Sequence, residues 1–404
     1  MATSTHILYL CHDGVVPPLG QSQVLNLLLE LQGKDGLRFS LVSFEKDKDR
    51  EAPAFATTKA KLAAAGISWT VLRYRRRPTG LATLLSVCEG AWHAWRIHRR
   101  DPVHVLHARS YVSAAIASLV KLETGVPVLF DMRGFWADEK LDYGTVTKTS
   151  LSYRVAKAGE ALLLRYADVV ASLSRAGVRE MERWPLFAGL RPRFEVVTTY
   201  ANLSLFRQLT AARPAGSPFT VGYVGSTHGS YLFEPFVEAF TALKKRVPEA
   251  RLVVLNRYEQ EFLRARLAEF GACVEIKAVE HHDVALEMNR MDAAIFFIRP
   301  TFAKLASAPT KLGELLACGV PSLTNGGVGD VEDILAGGGG GAVGTVVKDF
   351  TPRALEAGVE ELLRLTREPG IRERCAKAAE DNFSLAKGAE RYRGIYSRMT
   401  QAMR

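Results

Sequence analysis

Apolar residues along the chain follow two alternating rhythms. Short apolar runs read as buried strands: HILYL (6–10), FSLVSF (39–44), SWTVLRY (68–74), VHVLHA (103–108), VPVLF (126–130), DVVASL (168–173) and FEVVTT (194–199). Between them, apolar positions three and four apart predict helices at 21–32, 53–65, 79–97, 111–123 and 150–166. The alternation restarts after residue 218. Strands are predicted at FTVGYV (219–224), RLVVLN (251–256), VEIKAV (274–279), AAIFFI (293–298), PSLT (321–324) and GTVV (344–347). Helices are predicted near 233–246, 258–270, 283–290, 310–318, 352–366, 369–380 and 385–401. Strands separated by helices of about 10–15 residues imply an α/β fold with parallel sheets and right-handed crossovers.

The stretch RQLTAARPAGSP (207–218) has no apolar period and reads as a linker. The expected organisation is a Rossmann-like domain over 1–206, the linker, a second such domain over 219–384, and a terminal helix over 385–404. Two doubly wound domains in tandem place a crevice between them. Ligands of such sheets bind at the carboxyl ends of the strands.

The 404 residues, 48% hydrophobic and 24% charged, are too many for one ordinary core and too apolar for a disordered chain. No run reaches the roughly 18 apolar residues that span a bilayer. The opening MATSTHILYLCHDG lacks the basic start and long apolar stretch of a secretory signal, so a cytoplasmic location is expected. Five scattered cysteines without CxxC spacing argue for a reducing compartment and against a disulfide framework or a zinc site.

The net charge of +10 is uneven. Residues 1–206 carry 27 Lys and Arg against 19 Asp and Glu, whereas residues 207–404 carry 26 against 24. Arg73, Arg75, Arg76 and Arg77 precede, and Arg96, Arg99 and Arg100 follow, an apolar stripe of Leu81, Leu84, Leu85, Cys88, Trp92 and Trp95. The stripe is either the inward face of a core helix or a surface for anionic lipid headgroups or a lipid-diphosphate substrate. No zinc-finger, KH or RRM signature accompanies the basic residues, so nucleic acid is not an expected partner.

The sharpest local signal is SAPTKLGELLACGVPSLTN (307–325). Pro309 suits the first turn of a helix, which then presents free N–H groups beside Thr310 and Lys311. A helix start with an added cation suits a phosphate or diphosphate. Glu314, one turn on, can accept hydrogen bonds from sugar hydroxyls.

These residues carry a resemblance. The chain resembles the family-4 glycosyltransferases, whose GT-B fold sets two Rossmann-like doubly wound domains facing across a cleft. ILYLCHDGVVPPLGQSQV (7–24) resembles the family's opening loop, where Gly14 and Gly20 would let backbone approach the donor diphosphate. GYVGSTHGSYLFEPFVEAF (222–240) resembles the start of its second domain, and residues 293–335 resemble its nucleotide-sugar site. The segment ERYRGIY (390–396) resembles the helix that crosses back to the first, acceptor-binding domain. The resemblance implies that Glu314 holds ribose hydroxyls and that Ser307 to Lys311, with Pro309 and Thr310, hold the diphosphate and sugar. Gly225 and Ser226 would sit by the leaving phosphate, and Arg299 and Lys304 would neutralise it. The first Glu of the family's Glu-x7-Glu pair is replaced by Ala306, and the basic residues after the turn are reduced to His228. Asp131 and Arg133, in FDMRGFWADE (130–139), would face the acceptor with His12. Arg133 either contacts a ligand or pairs with Asp138 or Glu139.

The resemblance further implies transfer with retention from a nucleotide-diphosphate sugar, without a resident cofactor or metal. The only DxD, Asp47-Lys48-Asp49, lies far from the second-domain motif. His12-Asp13 keeps open a general base for inverting transfer. An oxidoreductase would need a GxGxxG turn that HDGVVPPLG does not provide. A nucleotide-sugar epimerase or an inactive binding protein are the remaining alternatives. The acceptor is expected to be a glycan or a lipid-linked glycan, with an anionic membrane surface as a partner.

Overall fold

The structure is a computed structural model and describes residues 4–77, 79–185, 193–209 and 216–402. Packing divides the chain into two units, Met1–Thr198 with Leu385–Arg404, and Thr199–Ser384. The first boundary therefore falls before residue 206. Ala201 and Phe206 are buried in the core of the second unit, and the Ala201 N–H donates to the Phe383 carbonyl at 2.9 Å. Residues 210–215 of the expected linker lie outside the described residues. Just before them, the Leu209 N–H donates to Asn289 Oδ1, tying this stretch to the second unit.

The first unit is built on seven parallel strands: β1 (Thr5–Cys11), β2 (Leu37–Glu45), β3 (Ser68–Arg73), β4 (Val105–Arg109), β5 (Val128–Asp131), β6 (Val169–Ser172) and β7 (Arg193–Val196). Their order is β3-β2-β1-β4-β5-β6-β7. The central strands β1, β4 and β5 are buried nearly throughout, as helices on both faces require. The predicted helix at 21–32 begins earlier, at Pro18, and passes through a wide turn over Gln21–Leu25. Two seven-residue helices, Trp136–Asp142 and Arg175–Met181, carry too little periodicity to stand out in the sequence.

The terminal helix Leu385–Gln401 belongs to the first unit. It buries Tyr392 and Tyr396, and the Tyr396 hydroxyl lies 2.6 Å from His107 Nδ1 on β4. Arg398 pairs with Glu195 and Arg393 with Asp35.

The second unit has six parallel strands: β8 (Thr220–Val224), β9 (Arg251–Leu255), β10 (Val274–Lys277), β11 (Ala293–Ile295), β12 (Ser322–Asn325) and β13 (Gly344–Val347), in the order β10-β9-β8-β11-β12-β13. The predicted strand 293–298 is cut short at Ile295. Asn325 takes over further along, its side chain both receiving the Ile298 N–H and donating to the Ile298 carbonyl, each at 2.8 Å.

Helix Thr310–Ala317 packs closely on helix Ile371–Phe383. At Gly313 a Cβ would lie 2.5 Å from Phe383 Cγ and 2.9 Å from its Cβ, so the ring cannot swing clear. Gly313→Ala is expected to destabilise the protein by about 1–3 kcal/mol through overpacking, read as a lower urea midpoint with unchanged slope.

Candidate functional site

Strand order reverses once in each sheet, between β1 and β4 and between β8 and β11. At a reversal the two following connections leave for opposite faces, and a crevice opens at the carboxyl edge. The residues singled out from the sequence gather at these two places, one in each unit.

In the second unit, helix Thr310–Ala317 starts beside β11. Pro309 is its N-cap at φ −74° rather than part of the first turn, and no side chain caps the helix start. The Leu312 N–H turns back to the Pro309 carbonyl at 3.0 Å, and no side chain receives the N–H groups before it. Ser307, Pro309 and Thr310 are half-buried. Lys304 supports the approach: its carbonyl accepts from the N–H groups of Ser307 and Gly329. Arg299 is exposed, and only its backbone is anchored, its N–H donating to the Ser230 carbonyl at 2.7 Å. Ala306 is fully buried.

The Lys311 ammonium turns back toward β8. It donates to the Val224 carbonyl at 2.5 Å and lies 3.7 Å from the centre of the Tyr231 ring. A Cβ on Gly225, at φ +104°, would meet the ammonium at 2.8 Å, so glycine is what allows the lysine to reach this place. Burial lowers the Lys311 pKa to about 7 against the pull of Glu314, and burial raises the Glu314 carboxyl to about 7 against the pull of Lys311. Two groups on one helical turn therefore change charge near neutrality.

The turn after Gly225 closes on a residue that sequence reading missed. Glu259 accepts from Ser226 Oγ (3.1 Å), the Thr227 N–H (2.8 Å), Asn256 Nδ2 (2.6 Å) and His228 Nδ1 (2.5 Å). Asn256 fixes this geometry, its Oδ1 receiving the N–H groups of Tyr258 and Glu259. The Ser226 hydroxyl, expected beside a phosphate, is thus committed to a carboxylate.

The opening loop of the first unit behaves alike. Glu45, fully buried at the end of β2, accepts from Val15 N–H at 2.8 Å and Ser43 Oγ at 2.6 Å. A Cβ on Gly14 would meet that carboxylate at 2.7 Å, and one on Gly20 would meet the Gly14 carbonyl at 2.5 Å. Both glycines therefore serve the loop's own packing. His12 is buried between the Phe44 and Tyr74 rings, at 4.9 and 5.1 Å, and its backbone N–H donates to Ser113. Burial keeps its pKa below the ordinary value, Asp13 opposing weakly. Asp13 is exposed and makes no hydrogen bond to the ring among those of the described residues, so it does not orient it.

Asp131 and Arg133 do come together, with two partners not foreseen. Around the buried Asp131 carboxylate stand Arg109 at 3.5 Å, Arg133 at 3.6 Å and His107 at 3.7 Å. Burial alone would raise its pKa, but Arg133, His107 and Arg109 hold it well below the usual range. Arg133 also lies 3.5 Å from Gln23 Oε1. Asp138 is engaged by Lys157 and Tyr153 instead. Arg133 and Ser110 sit at φ +65° and +70°, two of three such non-glycine residues among those described. Strain of this kind, at the carboxyl ends of β5 and β4, marks a constrained site.

Residues 20–189 match a family described as glycosyl transferase 4-like domain. Among solved structures the chain is similar to sucrose-phosphate synthase from Thermosynechococcus elongatus, at 14% identity and a TM-score of 0.71, over 98% of this chain and 100% of that one. It is likewise similar to Anabaena Alr3699/HepE in complex with UDP, at 15% identity and a TM-score of 0.67, over 98% and 100%. Within the first unit, residues 20–189 thus form a glycosyl transferase 4-like domain. Its two Rossmann-like units have the GT-B fold. A weaker likeness, at 12% identity and a TM-score of 0.57 over 96% and 94%, links it to a putative UDP-N-acetylglucosamine 2-epimerase from Listeria monocytogenes. No curated protein sequence matches it significantly.

In the matched domain, Asp47 of the DxD pairs with Arg73 at 2.8 Å, and no group of three metal-ligating side chains occurs among the described residues. No helix among them is long and apolar enough to cross a membrane. Glu45, Glu259 and Arg109 escaped sequence reading because each acts across the sheet from a strand end. Only Glu45 carried a signal, an acidic residue closing the second strand.

Hydrogen bonds to Glu259 outweigh its burial and lower its pKa to about 2. A depressed carboxyl stabilises the fold above its ordinary value of about 4.3 and ceases to as pH falls through about 2. Glu259→Gln is therefore expected to cost about 1–3 kcal/mol at pH 7. Urea midpoints of the variant and parent should converge as pH is lowered below about 4; a constant gap would contradict this.

Proposed function

We propose that this protein is a glycosyltransferase that moves a hexosyl group from a nucleotide-diphosphate donor to a hydroxyl of a glycan or lipid-linked acceptor, with retention and without a metal. The carrying observation is the uncapped start of helix Thr310–Ala317 at the reversal of the second sheet, with Lys311 and Glu314 on its first turns. The N–H groups there and Lys311 would receive the diphosphate, with Arg299 and Lys304 nearest in sequence to the departing charge. Such groups stabilise charge that grows as the bond breaks. The bond from the anomeric carbon to the phosphate oxygen breaks, and the acceptor oxygen bonds to that carbon on the same face. The acceptor proton passes to the phosphate, so no carboxylate pair of the hydrolase kind is needed. Glu314 would hold the ribose, and Arg133, Asp131 and His12 the acceptor side.

UDP and UDP-glucose are the first donors to try, since the similar Anabaena protein was crystallised with them. The setting we propose is the cytoplasmic face of a plasma membrane, in cell-surface polysaccharide or glycolipid assembly. Epimerisation without an acceptor is the second reading, favoured by the weaker Listeria likeness.

Product analysis against a panel of nucleotide sugars tests this. The expected result is one glycosylated product with the donor's anomeric configuration by NMR. Glu314→Ala should lower kcat/KM by about 10–100-fold, the loss of one or two charged hydrogen bonds. An epimerised donor, or an inverted product, would refute the reading.

Protons report on the same site. A diphosphate beside Lys311 favours the ammonium and takes up a proton near neutral pH, whereas hydroxyls donating to Glu314 favour the carboxylate and release one. Titration calorimetry in buffers of different ionisation enthalpy should show nucleotide binding shifted toward release in Lys311→Met and toward uptake in Glu314→Gln. Unchanged proton balance in both variants would remove these residues from the donor site.

A further inference from the structure

We infer that one helical face of the first unit docks on a bilayer surface carrying anionic lipid. Helix Thr79–Arg100 is mounted the opposite way from what its apolar stripe suggests. Ala82, Ser86, Gly90 and Ala94, each four residues apart, form its buried side. A Cβ on Gly90 would lie 2.5 Å from Ile116 Cδ1, so the helix sits hard against its neighbour Ser110–Thr124 through small residues. The large apolar residues are left outside. Leu81 is 54%, Leu84 59% and Trp92 50% exposed, with Leu85 and Cys88 between them on the same face. At about 100° per residue the two stripes lie on opposite sides of the helix.

The neighbouring helices extend this surface. Helix Ser110–Thr124 packs against both Thr79–Arg100 and Leu151–Tyr166. Right-handed crossovers from β3 through β6 carry all three along one side of the sheet. The middle helix exposes Leu119 and Leu122, and the third exposes Leu151, Val155 and Leu162. A monomeric protein rarely leaves so extended an apolar face to water.

The charges select the occupant. Residues 75–166 carry 14 Lys and Arg against 8 Asp and Glu, and Asp131, Asp138 and Glu160 among the acids are buried. Arg76 and Arg77 are exposed just before the first helix. Arg96 lies over the Trp92 ring at 4.4 Å and Arg99 over the Trp95 ring at 5.8 Å. A second copy of the chain paired symmetrically would set this positive surface against itself. Nucleic acid would match the charge but not the leucines. A bilayer interface accepts both, taking leucine and tryptophan among its acyl chains and arginine among anionic headgroups.

The inference rests on the surface of the first unit and not on the donor chemistry. Sedimentation with vesicles of phosphatidylcholine containing phosphatidylglycerol is the test, with pure phosphatidylcholine vesicles as control. Strong binding to the first and weak binding to the second is expected. Leu84→Gln with Trp92→Gln, and separately Arg76→Glu with Arg77→Glu, should each weaken it by about tenfold or more. All four side chains are exposed, so the variants should keep the parent's melting temperature and its thermal shift with UDP. Binding that is absent, indifferent to phosphatidylglycerol or unchanged in the variants would overturn the inference. So would a dimer in light scattering that the Leu84 and Trp92 changes dissociate. Failed vesicle binding with an intact UDP shift would sink this surface alone; the reverse result would sink the donor site alone.

Discussion

A parallel sheet sends the carboxyl end of every strand to one edge, and this constraint organises the protein. Because the strands are joined by crossovers of one hand, a helix can change faces only where strand order reverses. Each sheet does so once, beside β1 in the first unit and beside β8 in the second. Charged side chains collect beyond the carboxyl ends of strands near these reversals: the buried Glu45, Arg109 and Asp131 in one unit, and the half-buried Glu259, Lys311 and Glu314 in the other.

Anion-binding geometry arises at three loops, and the protein fills two of them itself. Backbone and side-chain donors converge on Glu45 in the opening loop and on Glu259 in the turn after Gly225. An internal carboxylate of this kind satisfies donors that would otherwise be buried without acceptors. The start of helix Thr310–Ala317 has no such internal acceptor. The same chemistry thus rigidifies two loops and leaves one available. Lys311 and Glu314 are partly removed from water there without forming an ion pair, and each is held near its own titration point.

Small residues set the distances. Gly313 lets the helix with the open start lie against Phe383, Gly225 makes room for the Lys311 ammonium, and Gly90 brings the basic helix onto Ile116. In the last case, close packing through small side chains turned the larger apolar residues outward. Hydrophobic contact area was given up against the core and became surface.

The chain's periodicity determined the layers, the parallel sheets and nearly every element longer than about two turns, because burial on both faces of a sheet writes continuous apolar runs and helices write a 3.6-residue stripe. It also identified the turn at Pro309 through local residue chemistry. It did not determine which stripe of helix Thr79–Arg100 faces the core, since Leu and Trp promise more burial than Ala and Gly, and only the closeness of Ser110–Thr124 decides between them. Nor could it reveal Glu259 under the Gly225 turn, or Arg109 and His107 around Asp131. Those partners lie 32, 22 and 24 residues away in sequence, and only the register of neighbouring strands, set by tertiary packing, brings their charges within a few ångströms.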